Sequence, residues 1–181
     1  DYSRAATVQL KQAGSALLLV GARRDELGGS DYYQVELSCH GANVPTVDGP
    51  REMAQNESVI EAIGAGLVKA SHDISGGGLL VTLAEMAMAG WCHGTLGATL
   101  DLAAVPYAGE PVDAAREQVA KLFGETGGFG LEVHPVNVAE VAAICAAKGA
   151  VCAEIGQVSA AGDLVVTDGV CPRCGRAAPL A

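Results

Sequence analysis

The chain has 181 residues, half of them hydrophobic, with 24 glycines and only 4% aromatics, which fits one domain whose core is built from Ala, Val, Leu and Ile through close backbone contacts. A formal net charge of −10 argues against nucleic acid or an anionic membrane as the main partner, because such a surface lacks the cations either would need. No apolar run reaches the roughly 18–20 residues that span a bilayer, and the start Asp1-Tyr2-Ser3-Arg4 has neither an initiating Met nor an apolar leader, so the sequence reads as a cytoplasmic chain cut or trimmed from something longer.

Gly14 precedes the apolar run Ser15–Gly21, which predicts a buried strand. Arg23–Ser30 is a charged turn with two adjacent glycines, and Ser30 is placed to cap a short helix over Asp31–Leu37. Gly41–Pro50, with two prolines and two glycines, is a loop. From Arg51 to Ala70 the residues Met53, Val59, Ile60, Ile63, Leu67 and Val68 recur at helical spacing and predict one amphipathic helix, ending at Ser71-His72. After a break at Asp73–Gly78, Leu79–Ala89 predicts an almost wholly apolar helix, buried on most sides and stopped by Gly90.

Thr95–Leu102 alternates like a strand. Ala114–Phe123 predicts a helix, Gly124–Gly130 a glycine-rich turn, and Leu131–His134 a strand. Val138–Lys148 is an Ala-rich helix closed by Gly149. Val151–Val158 and Leu164–Thr167 read as a strand–turn–strand pair joined through residues 160–163. This order predicts one α+β domain of mixed α/β layers over 1–168, its mixed sheet flanked by helices. Residues 169–181 read as a flexible tail.

Cys39, Cys92, Cys145 and Cys152 read as free thiols in a reducing compartment. Cys171 and Cys174 form a CxxC in the tail, but a structural zinc needs four ligands and no second CxxC exists.

The densest chemical signal is Ser71-His72-Asp73-Ile74-Ser75-Gly76-Gly77-Gly78. Three glycines stand at the mouth of a buried helix, where unpaired N–H groups and the helix dipole favour an anion. Ser75 adds a hydroxyl. Asp73 would repel a phosphate there unless a divalent cation bridged the two. The alternative is an ordinary helix start, capped by Ser75 or Asp73, with glycines that merely permit close packing.

This segment, with Leu83-Ala84-Glu85-Met86-Ala87, resembles the "HD-x-S-[DE]-G-G-L … LAEMA" pattern of the formylglycinamidine ribonucleotide synthases. They belong to the superfamily of aminoimidazole ribonucleotide synthetase, selenophosphate synthetase and thiamine-monophosphate kinase. Leu17–Gly21 with Arg24–Tyr32, Val44–Asp48, Leu122–Thr126 and Ile155–Val158 resemble further stretches of that family in the same order, so the resemblance covers roughly residues 15–168.

The resemblance implies an aminoimidazole ribonucleotide synthetase C-terminal-domain-like fold, from the second half of the catalytic chain. It implies a part of an ATP-dependent amidating ligase of purine biosynthesis, with Mg2+ and ATP or ADP as cofactors. By the same resemblance Asp73 would bind Mg2+, and Ser75, Gly76 and Gly77 the nucleotide; no catalytic residue is assigned. Its partners would be N-terminal ATP-binding domains and a glutaminase domain or subunit, with a homodimer as a further option. The chain alone would be inactive.

Gly76 departs from the pattern, which has Asp or Glu there. His72 reads as a hydrogen-bonded structural residue, Glu125 as part of a structural turn, and Arg23 and Arg24 as surface charge. Two alternatives remain open: the C-terminal domain of a selenophosphate synthetase or thiamine-monophosphate kinase type, and a non-catalytic scaffold domain.

Overall fold

The computed structural model describes residues 4–90, 96–170 and 177–179. Its organising element is β1 (Ala16–Val20), buried at every position. Leu17 and Leu19 enter one core, and Ala16, Leu18 and Val20 enter a second. Successive strand side chains point to opposite faces, so a strand apolar throughout needs a layer on each side.

The other strands are β2 (Val68–Asp73), β3 (Gly97–Asp101), β4 (Phe129–Val133), β5 (Cys152–Ser159), β6 (Leu164–Val170) and β7 (Ala177–Pro179). They form a single sheet of order β2-β4-β1-β5-β3-β6-β7. The β3–β6 pair is parallel and the other pairs are antiparallel.

Helices cover both faces. The described α-helices are α1 (Asp31–Glu36), α2 (Gly49–Gly64), α3 (Gly78–Met88), α4 (Ala114–Phe123) and α5 (Val138–Lys148). Leu79, Leu83 and Met86 of α3 and Leu122 of α4 fill the first core. Val59 and Ala62 of α2 (Gly49–Gly64) and Val141 and Cys145 of α5 (Val138–Lys148) fill the second. Each fully buried leucine stabilises the fold by roughly 1.5–3 kcal/mol relative to exposure. The expected mixed sheet flanked by helices is present. So is the Ser30 cap: its side chain accepts from the Tyr33 amide and starts α1 (Asp31–Glu36). None of the described helices is long and apolar enough to cross a membrane.

Three expectations are corrected. The helix predicted over Arg51–Ala70 is two elements. It starts earlier, with Asp48 accepting from the Arg51 amide, and ends at Gly64. Gly66 then takes φ +75, a left-handed conformation that stops the helix and turns the chain into β2. Leu67 and Val68 continue the helical apolar spacing by coincidence, and two other marks of that pattern, Met53 and Ile60, face solvent.

The strand–turn–strand pair at the end is not a hairpin either. β3 lies between β5 and β6 and pairs with both. The turn at 160–163 steps over the start of β3, where the Ala98 amide donates to Asp163 O. A Cβ on Gly97 would stand 2.0 Å from that same oxygen, so the crossing depends on glycine.

Finally, Arg23 is no surface charge: it is fully buried. β6 runs to Val170, beyond the strand end expected at Thr167, and pairs with residues 177–179. Cys92, Thr95, Cys171 and Cys174 lie outside the described residues.

Candidate functional site

β2 delivers the candidate site by pairing with β4, which aligns Asp73 with Phe129. Beyond the strand, the Ile74 amide donates to Gly128 O at 2.9 Å, and the Ile74 side chain enters the first core. This inward anchor turns its neighbours out. Asp73, Ser75 and Gly76 are exposed, and Gly77 is buried. The loop is therefore an open rim over a fixed floor.

The two glycines after Gly76 are required by geometry. Gly77, the N-cap of α3, has φ +78, and a Cβ there would meet the Val81 side chain at 2.4 Å. Gly78 has φ +71, and a Cβ there would lie 2.7 Å from the Phe123 backbone at the end of α4. No side chain caps α3, so neither Asp73 nor Ser75 serves as an ordinary N-cap.

The helix mouth is partly satisfied from elsewhere in the fold. Glu125 Oε1 accepts from the Gly77 amide at 2.9 Å and from the Asp31 amide at 2.8 Å. One carboxylate oxygen thus ties α3 to the first turn of α1, at the positive end of each. The Gly78 amide donates to Ser75 O at 3.0 Å. Among the described residues, the Ser75 and Gly76 amides and the Ser75 hydroxyl take no protein partner. These exposed donors are what the loop can offer an anion.

Glu125 is itself held in place by buried polar contacts. The Arg23 guanidinium donates to the carbonyls of Gly124, Thr126 and Gly127, which wraps the turn around a cation. Burial pulls the Arg23 pKa down to about 10, partly opposed by the nearby Glu52, so the group is still charged at neutral pH. Thr126 Oγ1 donates to Glu26, whose other oxygen accepts from the Thr46 amide. The Glu125 turn, expected to be structural, is so. Its direct engagement of the Gly77 amide was not legible, because nothing in the spacing of residues 77 and 125 signals it.

Asp73 is an exposed carboxylate whose Oδ1 lies 3.2 Å from His72 Nδ1, while His72 Nε2 lies 3.0 Å from Glu85 Oε2. His72 is thus hydrogen-bonded, as expected of a structural residue, and it links Asp73 to Glu85 of α3. Among the described residues, no group of three His, Cys, Asp or Glu could hold a metal by itself. Mg2+ commonly takes one or two carboxylates and fills its remaining positions with water and phosphate oxygens, so the donor set fits a metal that arrives with a nucleotide.

Gly76, the departure from the family pattern, has Asp31 Oδ2 only 2.9 Å from where its Cβ would stand. A carboxylate side chain at 76 would crowd Asp31, and the glycine leaves that place to the Asp31 acid. Arg24 makes no contact with this loop among the described interactions.

A family model described as "AIR synthase related protein, C-terminal domain" matches residues 12–169. The phosphoribosylformylglycinamidine synthase subunit PurL of Methanothrix thermoacetophila is 41% identical over 133 residues, covering 74% of this chain and 16% of that protein. The PurL of Allorhizobium ampelinum is 35% identical over 174 residues, covering 94% of this chain and 21% of that protein. The chain thus spans about a fifth of the length of these relatives. Among solved structures, Thermotoga maritima PurL complexed with FGAR superposes with a TM-score of 0.76 over 98% of this chain and 29% of its own, at 19% identity, a likeness of fold. The match over residues 12–169 and the seven-stranded mixed sheet agree: the chain belongs to the family of AIR synthase-related C-terminal domains.

Proposed function

We propose that this chain is the C-terminal, nucleotide-side domain of a formylglycinamidine ribonucleotide synthase, and that the loop after β2 is one half of a Mg-nucleotide phosphate site. The synthase converts formylglycinamide ribonucleotide, ATP and ammonia from glutamine into formylglycinamidine ribonucleotide. The subunit names of the relatives support this reading, as do solved relatives of the same fold described as complexed with ATP and with ADP.

The observation that carries the site is the open rim. Ser75 and Gly76 present free amides and a hydroxyl beside an exposed carboxylate, at the positive end of a buried helix. In this reading Ser75 and Gly76 hold phosphate oxygens. Gly77 fixes the turn that aims them, with its own amide on Glu125. Asp73, steadied by His72, holds Mg2+, which when bound would offset phosphate charge. The rest of the cradle, the reacting centre and the ammonia supply would come from N-terminal ATP-binding domains and a glutaminase domain or subunit. The isolated chain would have no synthase activity, and the assembled enzyme, in single or paired copies, would be cytoplasmic.

The test is the nucleotide content of the full-length protein, measured by chromatography after acid release, for the wild type and for Asp73→Ala and Ser75→Ala. Loss of bound nucleotide with unchanged far-UV circular dichroism supports the half-site. Unchanged nucleotide content in both variants refutes it.

A further inference from the structure

Positive charge is unevenly placed in this acidic chain. Arg51, Arg116, Lys121 and Lys148 are paired with carboxylates, and Arg23 is sealed among carbonyls. Arg24 lies at a groove that Asp25, Glu26 and Glu110 also line, whereas Arg4, Lys11 and Lys69 line one cavity of about 460 Å3, together with Thr7, Gly64 and Gly66. It lies between the N-terminal segment, the end of α2 and the start of β2, away from the 73–77 loop.

The three cations there meet only neutral oxygens. Arg4 donates to Gly64 O at 3.1 Å, Lys11 Nζ to Thr7 O at 3.3 Å and Gln9 O at 2.9 Å, and Lys69 Nζ to Gln12 Oε1 at 2.6 Å. Among the described residues, none of the three has a carboxylate within 4.0 Å. Glu132, which attracts Lys11, is fully buried and gives its two oxygens to the Lys11 and Gln12 amides at 2.7 and 3.0 Å. Burial holds the Lys11 pKa below its ordinary value, and the Lys69 charge lowers it further against the pull of Glu132. Three cations whose side chains meet only neutral oxygens among the described residues, with one buried carboxylate near Lys11, make an arrangement that an anion would complete.

A second, independent observation concerns the cavity wall. Gly64 lies in the last turn of α2 without a positive φ, where Ala would be more stable by roughly 1 kcal/mol. Apart from its chain neighbours and its own helix backbone, no atom lies within 4 Å of where its Cβ would stand. Neither backbone conformation nor packing requires this glycine, and it is one of the residues that line the cavity.

We propose that this cavity binds a small phosphorylated metabolite, its phosphate among Lys11, Lys69 and Arg4 and its organic part along the Gly64–Gly66 turn. A phosphate dianion matches three cations better than a single carboxylate does. The volume exceeds that of a bare phosphate and falls in the range of small-molecule pockets, about 300–1,000 Å3.

Calorimetric titration of the full chain with glucose 6-phosphate tests this, with glucose and sulfate as controls. The expected result is saturable one-to-one binding that glucose lacks and that sulfate shows at least about tenfold more weakly. Lys69→Gln and Lys11→Gln should each weaken it by about tenfold, and Gly64→Leu should abolish it while circular dichroism shows the helix retained. Absence of binding, binding no tighter than that of sulfate, or binding that survives the Lys11→Gln/Lys69→Gln double substitution would overturn the proposal.

Discussion

Replacing Glu125 by Ala removes the one acceptor shared by two helix starts. Its Oε1 takes the buried Gly77 amide at 2.9 Å and the more exposed Asp31 amide at 2.8 Å. A hydrogen bond to a charged group contributes about 1.5–3 kcal/mol. Discounting the exposed contact, the loss should be about 2–4 kcal/mol. For a domain of this size each kcal/mol moves Tm by about 2–4 °C, so Glu125→Ala should melt about 4–16 °C below the wild type. Glu125→Gln keeps an oxygen in place and loses only charge, and should fall between them. The same substitution frees the Gly77 amide at the positive end of α3, so an added anion should substitute for the lost carboxylate. Thermal melts in sulfate and in chloride, matched for ionic strength, read this directly. Sulfate stabilises folded proteins generally by exclusion from their surface, so the informative quantity is the sulfate-minus-chloride shift, which should be larger in Glu125→Ala than in the wild type. A variant within about 0.5 kcal/mol of the wild type, or equal sulfate shifts in both proteins, would refute the reasoning.

Gly97→Ala puts a Cβ against Asp163 O at the crossing of the 160–163 turn over β3; it should cost about 2–4 kcal/mol in a urea melt. Gly78→Ala combines φ +71 with a clash against the Phe123 backbone and should cost at least about 2 kcal/mol by the same measurement. Arg23→Lys leaves a single ammonium where a fork serves three carbonyls; the loss of about 2–3 kcal/mol should appear as earlier proteolysis of the 124–128 turn. Cys145 and Cys152 impose a pH dependence. A hydrogen bond from Cys152, then one from Ser58, pull the Cys145 thiol down to about 7 against the effect of burial, while the contact with Cys145 and burial push Cys152 up. The native state therefore binds fewer protons than the unfolded chain from about pH 7 to 9 and more above about 9. Stability should rise across the first window and fall beyond it in urea melts, and Cys152→Ser should flatten that profile.

The layers were legible because burial was written into individual strands. Ser15–Gly21 has no polar side, and such a strand is stable only between two cores; α3, apolar on nearly every face, matches it. The short caps were legible for a local reason, since Ser30 acts within three residues of itself. The boundary of α2 was not. Leu67 and Val68 fall where a fifth helical turn would put them, and the stop lies in Gly64-Ala65-Gly66, whose left-handed turn at Gly66 is a backbone property that apolar periodicity does not register. The final strand pair misled in a similar way. Two strands joined by four residues usually pair, and the exception here is decided by the missing side chain of Gly97, more than sixty residues from the turn it admits.

The candidate site divides along the same line between local and distant causes. Ser71–Leu80 announces a glycine turn and a helix start, and the fold places these as read, with Asp73 and Ser75 on an open face; the strand that leads into them had the spacing of a helix end. What a linear reading cannot supply is the competition for the helix mouth. An isolated helix start offers all its first-turn amides to an anion, yet here Glu125 has arrived from a turn wrapped around a buried arginine and taken the innermost one. In the proposed half-site that contact changes which donors a phosphate would meet. The Gly77 amide faces a fixed carboxylate, so the available pair moves out to Ser75 and Gly76, toward Asp73. In the half-site proposed above, an anion there would sit close to three acids, Asp73, Glu125 and the Asp31 carboxylate beside Gly76, and their repulsion would favour a bridging cation. Bare phosphate should consequently bind this rim only weakly, and the metal–nucleotide complex should bind in preference to the free nucleotide.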